Sequence, residues 1–570
     1  MKKVPQKRNW QLPLSFLALA IVYLSVRLPQ LDQFVTVDEP DWLRNSGNFY
    51  YALEEREFEH TLQLHHPGVT VTWVGAMGYW LTYPAYRVEV REYFDGNVQH
   101  NRFLNDQGHA PIEILEAARQ VKILLSVGLF LLSFYIASKL LPLRYSFFAF
   151  LLIALEPFYI GHGRLLHLDA LLSDFMLLSI LAFIAYLKLG RNWLYLLLSG
   201  MAAGLAFLTK VSAAYIFVIL LGFVAIDALW PRRKVKFVSL AVETVKTNFV
   251  PFLVWGLAVL VTVFPFFPAL WVRPVETLME IYTLSIREAG GAHGSAMFYW
   301  GRVLDPGENE GSLFYLFSFL WRTSPLTLMG LVLVGFGALR GWDLLKSRQT
   351  WELLLMLVWS GLIFAVLVNL SGTKADRYVL PSYLPLGLVA GIGWAMFAQW
   401  FAERWNQRIF AQMLLAIVLI LQGLMAAMHF PYYLTFYNPL FGGTRAAAQI
   451  FAIGSGEGLD EAARYLAIKP GSQSAQVFSW YGVGAFSFFY PGPTKFLHIV
   501  SQWDVDDIET LRNSEYLVIY YHQWQRRIPE KLLQVLAQVT PEHVIWLQGL
   551  PYVNIYKVSD LPDSAFEPAQ

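Results

Sequence analysis

Eleven apolar segments limit what this chain can fold into more than any other feature. A helix needs roughly 17–25 residues to cross a bilayer. Charged residues make up only 15% of the chain and hydrophobic residues 56%, whereas soluble domains are about one quarter charged. The pattern predicts a polytopic α-helical membrane protein. The predicted spans are 11–29, 120–139, 145–161, 170–188, 193–209, 211–229, 248–268, 325–340, 351–369, 379–399 and 409–428.

Composition excludes two classes of function. The chain has no cysteine, so disulfides, thiolate nucleophiles and cysteine-based metal sites are ruled out. Its net charge of +1 gives no basic footprint for nucleic acid.

Basic residues predict which side of the membrane each loop occupies. The flank MKKVPQKR precedes the first apolar run, which has no cleavage signal, so we expect an uncleaved span and a cytoplasmic N-terminus. The segment 67–86 is ambiguous. If it crossed, Lys139, Arg144 and the PRRKVK run at 231–236 would all lie outside. We therefore expect 67–86 to lie on the outer interface without crossing.

This topology places several segments and the polar C-terminal region on the outer side. The outer segments are 30–118, 161–169, 269–324 and 370–378. We divide the chain into a transmembrane domain, 1–439, and an extracytoplasmic α/β domain, 440–570, because the latter mixes helical and strand-like runs. The helical run is LDEAARYLAI, 459–468, and the strand-like runs are QVFSW, FLHIV, YLVIYY, HVIWLQG and VNIYKV.

Acidic residues stand at two predicted membrane boundaries on this outer side. Asp38 and Glu39 follow the first span, and Asp169 begins another, with Arg164 and His167 as its nearest candidate partners. An ionisable group at such a boundary is costly unless it is paired or functional. A solvated helix cap or a structural ion pair is the alternative explanation.

Histidines and cations add to the outer face. His65 and His66 precede Pro67 and suit either an ordinary turn or a polar pocket, and a divalent metal ion is compatible with imidazole and carboxylate ligands. Lys374 and Arg377 precede a span on the side where positive charge is unusual, which an anionic lipid phosphate would explain. Snorkelling to headgroups is the alternative. Further candidate cations are Lys210, Arg273, Arg287, His293 and Arg302.

The motifs together resemble the GT-C class of membrane glycosyltransferases. VDEPDW resembles the acidic motif after the first span of the protein O-mannosyltransferase and lipid A aminoarabinose transferase superfamily. GRLLHLDALL, GLAFLTKVSA and HHPG are similar to further motifs of that superfamily, and residues 293–325 resemble its outer-loop region. The resemblance implies a GT-C fold of about eleven spans with outer interfacial helices. The C-terminal region does not resemble the β-trefoil of eukaryotic members, so the eukaryotic type of protein acceptor is not implied.

The resemblance implies inverting transfer of a sugar from a polyprenyl-phosphate donor. The acceptor, a lipid, a glycan or a protein, stays open. Asp38 is our candidate base and Glu39 the second, because a carboxylate can accept the proton of the attacking hydroxyl. Cations aimed at the leaving phosphate stabilise its growing charge; the candidates are Lys374, Arg377 and Arg302. Asp169, with Arg164 and His167, would orient the first loop or contact the sugar.

The remaining candidate residues and the alternative functions stay open. His66, His293 and Tyr315 are further donor-binding candidates, and a metal ion, if one binds, would be held by Asp38, Glu39, His66 or His293. A lipid or sugar transporter or flippase would share the spans and charges, and another GT-C enzyme would use a diphosphate-linked donor. The resemblance to bacterial members implies the plasma (inner) membrane.

Overall fold

The structure, a computed structural model, describes residues 10–64, 67–229, 237–291, 296–496 and 505–567. The predicted PRRKVK run at 231–236 lies outside these residues. In chain order, helices α1 to α20 are Gln11–Ser25, Glu39–Glu55, Val69–Thr82, Tyr86–Glu89, Asn97–Asp106, Pro111–Leu140, Leu143–Ala154, Pro157–Arg164, Leu168–Lys188, Trp193–Thr209, Tyr215–Leu229, Phe237–Phe266, Ala269–Val272, Pro274–Gly290, Phe314–Arg322, Pro325–Arg340, Asp343–Lys346, Arg348–Val368, Leu380–Trp405 and Arg408–Ala427.

Apolar helices account for all the predicted spans. Among the described residues, seven helices are long and apolar enough to cross a membrane, or up to nine if each of two bent helix pairs is one span. Two shorter apolar helices, α1 and α10, complete the set. Together they match the eleven predicted spans one to one, so the prediction of a polytopic α-helical protein is confirmed.

The two bent pairs are joined to each other where they break. Helices α7 and α8 meet at 66°, and α15 and α16 meet at 109°. The Glu156 carboxylate, at the first break, accepts hydrogen bonds from Ser324 N at 2.8 Å and from Thr327 Oγ1 at 2.7 Å at the second. Free backbone donors are costly in a membrane, so Glu156 stabilises the start of α16.

Helix α3 occupies the ambiguous segment 67–86. It has 14 residues and is about 21 Å long, which is shorter than a hydrocarbon core of about 30 Å. It packs between α2 and α6, so closely that a Cβ on Gly78 would lie 2.9 Å from Ala118 N. That α3 lies at the interface without crossing stays a prediction.

The C-terminal region contains a mixed five-stranded sheet, as predicted. The strands of the chain, β1 to β7, are Met297–Tyr299, Arg302–Leu304, Val477–Ser479, Thr494–Phe496, Tyr516–Tyr520, His543–Leu547 and Leu550–Lys557. The first two form a hairpin, and the others form a sheet in the order β4-β3-β5-β7-β6. Helices α21 to α25 are Gly443–Ala447, Leu459–Ala467, Val505–Arg512, Tyr521–Arg526 and Glu530–Leu536. The predicted FLHIV strand is described only at Phe496, because 497–500 lie outside the described residues.

The C-terminal region packs against two earlier loops. Trp300 N donates to Ile450 O at 2.7 Å, next to a bridge between Tyr299 and Phe451. Val37 N donates to Ser455 O at 3.2 Å. The sheet region is therefore fixed over the end of the helix bundle where α2 and α9 begin.

Candidate active site

Asp38 lies where three separate segments meet. It is the residue before α2, His167 is the residue before α9, and Arg377 belongs to the 3-10 turn Asp376–Val379 that leads into α19. Arg377 Nη2 lies 3.1 Å and His167 Nε2 3.3 Å from Asp38 Oδ2. The structure thus brings together three of the predicted site residues.

Asp169 is the second carboxylate of this site and is only 1% exposed. Lys210 Nζ lies 2.9 Å from Asp169 Oδ1, and His167 Nδ1 lies 3.2 Å from Asp169 Oδ2. Arg377 Nε lies 3.5 Å from the same Oδ2. We call Asp38, His167, Asp169, Lys210 and Arg377 the carboxylate–cation cluster. In it, His167 and Arg377 each contact both carboxylates.

Burial and neighbouring charged groups shift the pKa values of Asp38 and His167 in opposite directions. Burial would raise the pKa of Asp38, but the Arg377 charge and the His167 contact outweigh it and hold that pKa well below its usual range. Burial would lower the pKa of His167, but Asp169 and Asp38 outweigh it and raise it. Asp38 is therefore an ionised carboxylate at neutral pH. Its side chain is 37% exposed, so a substrate can reach it.

Glu39 is directed into the protein and away from the cluster. Its carboxylate accepts hydrogen bonds from Arg119 Nε at 2.7 Å, from Thr36 N at 2.9 Å and from Leu166 N at 2.9 Å. Burial would raise its pKa, but Arg119 outweighs this and lowers it. With its side chain fully buried, Glu39 has the contacts of a positioning residue that fixes the start of α2 beside 165–167.

Arg164 does not pair with Asp169, contrary to the expectation from their closeness in sequence. Its Nη2 donates to the carbonyl oxygens of Pro29, at 2.7 Å, and Gln30, at 2.9 Å. Arg164 ends α8, and the extended residue Leu165 turns the chain before α9. Lys210 takes the place next to Asp169.

The remaining candidate residues are not part of the carboxylate–cation cluster. Arg302 is exposed on β2 and is not among the residues that line the cavities described below. Tyr315 is buried on α15, which packs against Asp376–Val379. His66 and His293 lie outside the described residues.

A cavity of about 340 Å³ adjoins the cluster and is lined by four cationic side chains. We call it the cationic cavity. Its cations are Arg322, Lys374, Arg377 and Arg526, and its acids are Glu310 and Asp376. Lys374 is 3% exposed, and burial lowers the pKa of its ammonium despite the opposing influence of Glu310. A buried group of cations at the ends of spans suits an anionic ligand.

A second, larger cavity of about 790 Å³ lies on the other side of Asp38. We call it the acidic cavity, since its charged lining consists of Asp38, Asp41 and Asp95. Val37 and Tyr481 line both cavities. Asp38 and Arg377 thus lie at the boundary between a cationic and an acidic space.

The C-terminal region contributes lining residues that our sequence predictions did not name. Tyr481, His522 and Arg526 line the cationic cavity, although each lies more than 300 residues from Asp38 in sequence. The strand pattern predicted the sheet but carried no signal for which of its loops would face the site.

The described residues offer no ready metal site. Within the parts of the chain that the structure describes, no group of three or more histidine, aspartate or glutamate side chains could hold an ion. Asp38 and Asp169 are each within 3.5 Å of Arg377. A guanidinium in that position opposes a divalent cation by charge repulsion.

Comparison with known proteins gives one family match. Residues 114–255 match the family described as dolichyl-phosphate-mannose-protein mannosyltransferase. This segment runs from α6 to α12 and includes Arg164, His167, Asp169 and Lys210. No curated protein matches the chain.

Three solved structures resemble the whole chain distantly. ArnT from Cupriavidus metallidurans, bound to undecaprenyl phosphate, is 15% identical with a TM-score of 0.48, over 96% of this chain and 98% of that one. The Archaeoglobus fulgidus oligosaccharyltransferase is 12% identical with a TM-score of 0.47, over 90% and 70%. Arabinofuranosyltransferase AftD from Mycobacteria is 13% identical with a TM-score of 0.39, over 97% and 42%.

The family match and the motifs agree on the same part of the chain. GRLLHLDALL and GLAFLTKVSA both fall within the matched residues 114–255. The match agrees with the resemblance seen in the motifs: residues 114–255 are similar to the dolichyl-phosphate-mannose-protein mannosyltransferase family.

Proposed function

We propose that this protein transfers a single sugar, with inversion, from a polyprenyl-phosphate donor to an acceptor hydroxyl at the outer face of the membrane. Asp38 is the general base, and the cationic cavity holds the donor's phosphate. The observation that carries the proposal is the position of Asp38 and Arg377 at the boundary between the two cavities.

The cations suit the phosphate chemistry. When the sugar leaves, the lipid phosphodiester becomes a monoester and gains negative charge. Lys374 and Arg377 line the cavity just before α19, where the phosphate of a membrane lipid would reach them. Their attraction grows as that charge develops, so they stabilise the transition state more than the ground state.

Asp38 gains basicity when the donor binds. In the structure Arg377 keeps its pKa low, which makes the carboxylate a weak base. A donor phosphate beside Arg377 would take up part of the positive charge that now acts on Asp38. The pKa of Asp38, which burial raises, would then increase. The base would thus be strongest when both substrates are present. Glu39 fixes the start of α2 and is not a second base.

The cavity volume supports a monosaccharide. About 340 Å³ is near the lower end of the range for small-molecule sites, roughly 300–1,000 Å³. This volume suits one sugar with its phosphate better than an oligosaccharide. The acidic cavity, on the far side of Asp38, is the side from which the acceptor hydroxyl would approach.

Transfer of radiolabelled sugar from a panel of polyprenyl-phosphate monosaccharides tests the proposal, with purified protein and membrane extract as acceptor source. We expect Asp38→Asn to lower the rate by about 10²–10⁴, the usual contribution of a general base. The matched control is Asp32→Asn, since Asp32 is exposed in the same loop and lines neither cavity.

The outcomes distinguish the proposal from its rivals. Wild-type transfer that persists in Asp38→Asn would refute Asp38 as the base. Folded protein that transfers no sugar from any monophosphate donor would refute the proposed donor class and favour a transporter or a diphosphate-linked donor.

A further inference from the structure

The cationic cavity has two walls of different origin. Lys374 and Arg377 come from the turn before α19, at the end of the helix bundle. Tyr481, His522 and Arg526 come from the C-terminal sheet region. A lipid phosphate lies near its membrane, and the attached sugar projects away from the lipid tail. The sugar of a donor whose phosphate meets Lys374 therefore faces the C-terminal wall.

His522 is a buried, neutral hydrogen-bonding group in that wall. It is 4% exposed, and burial and Arg526 lower its pKa to about 3 despite a hydrogen bond with the backbone of Gly454. Among the residues that the structure describes, none forms a hydrogen bond with its Nε2. Buried polar atoms are rarely left without a partner, so we expect a group of a bound ligand to form a hydrogen bond with this nitrogen. A neutral ring that donates through its other nitrogen presents Nε2 as an acceptor.

The surroundings of His522 hold its ring in one place. The ring centroids of Trp480, Tyr481 and Tyr520 lie 5.3, 5.3 and 5.1 Å from that of His522, each near perpendicular. Tyr481 also lines the acidic cavity where Asp38 lies. Beyond His522, Arg526 is fixed by donation from its Nε to Ala296 O at 2.6 Å. The wall thus offers an aromatic face, a neutral acceptor and a guanidinium, a combination that suits a hydroxylated ring.

We infer that the C-terminal region forms the donor-sugar subsite, in which His522 accepts a hydrogen bond from a hydroxyl of the sugar and Tyr481 packs against the sugar ring. This inference rests on the proposed function. It makes His522 a specificity-determining residue that contacts the sugar and not the phosphate.

Binding measurements separate the sugar from the phosphate. The protein carries Asp38→Asn to prevent turnover, and the probes are polyprenyl phosphate, polyprenyl-phosphate-mannose and polyprenyl-phosphate-glucose. We expect His522→Phe to weaken binding of the preferred glycosylated lipid by roughly 2- to 10-fold, the usual value of one hydrogen bond, and to leave binding of polyprenyl phosphate unchanged. His522→Gln, which keeps an acceptor oxygen, should restore part of the loss.

His543→Phe is the matched control, because His543 stacks on Tyr465 at 4.0 Å and lines neither cavity. Unchanged polyprenyl phosphate binding also shows that the His522 variants are folded. Equal loss for glycosylated and bare lipid, or no loss for either, would overturn the sugar subsite and leave the proposed function standing. Absence of binding of all three lipids to the parent protein would overturn both.

Discussion

Replacing Glu39 with glutamine should destabilise the protein more than any exposed carboxylate change on the same helix. Glu39 and Arg119 form an ion pair whose side chains are 0% and 3% exposed, with Arg119 Nη2 2.5 Å from Glu39 Oε2. Glu39→Gln keeps the shape but leaves the guanidinium buried without its counter-charge. Breaking a buried pair in this way costs about 3–5 kcal/mol.

The matched control lies at the other end of α2. Glu54 pairs with Arg87 at 3.1 Å, but the two side chains are 37% and 45% exposed. An exposed pair contributes about 0–1 kcal/mol, so Glu54→Gln should change the free energy of unfolding very little. Both variants make the same chemical change on one helix, and the difference between them reports the buried contacts of Glu39.

A denaturant titration in detergent, followed by tryptophan fluorescence, measures the two free energies of unfolding. Adding Arg119→Gln to Glu39→Gln should recover part of the loss, because the isolated charge is then removed. Equal shifts for Glu39→Gln and Glu54→Gln would refute the argument that the Glu39 pair holds α2 in place.

Two further predictions concern the protonation of Asp38 and the packing of two helices. Burial raises the pKa of Asp38 and Arg377 outweighs it, so the ionised carboxylate contributes stability above its unfolded-state pKa and loses it as pH falls through the lower folded value. Arg377→Gln should therefore move the acid limb of kcat/KM to higher pH, measured from about pH 3 to about pH 8, and an unmoved limb would contradict the pairing. A Cβ on Gly393 would lie 2.1 Å from Gly330 O, whereas one on Gly335 meets nothing within 4 Å. Gly393→Ala should lower the free energy of unfolding by about 1–3 kcal/mol because of overpacking, and Gly335→Ala should not lower it. Similar unfolding midpoints for the two variants would contradict close contact of α16 and α19.

Sequence alone could predict the spans and the meeting of the charged motifs. Span prediction works because length and apolar composition are local properties of each segment. The sequence predicts Asp38, Asp169 and Arg377 at the same face of the membrane, and in the structure Asp38 lies 3.1 Å and Asp169 3.5 Å from guanidinium nitrogens of Arg377. These contacts are compatible with the predicted location of the three residues on one side of the membrane.

The pairing of individual side chains was harder to predict. Adjacent residues at a helix start point about 100° apart, so Asp38 faces the cavity while Glu39 faces Arg119. Nearness in sequence suggested Arg164 as the partner of Asp169, yet α8 ends between them and Lys210 takes that place. Such choices depend on tertiary packing, which a local pattern does not record.

The docking of the sheet region has a consequence for biosynthesis. Asp38 is inserted early in synthesis, whereas His522 and Arg526 are made nearly 500 residues later. Chains fold largely from the N-terminus as they are made, so the spans are in the bilayer before the second wall of the cationic cavity exists. A chain that ends before His522 would hold Asp38, Lys374 and Arg377 without that wall. If the proposed function holds, we expect full activity only from completed chains, and truncated products should be inactive in the membrane.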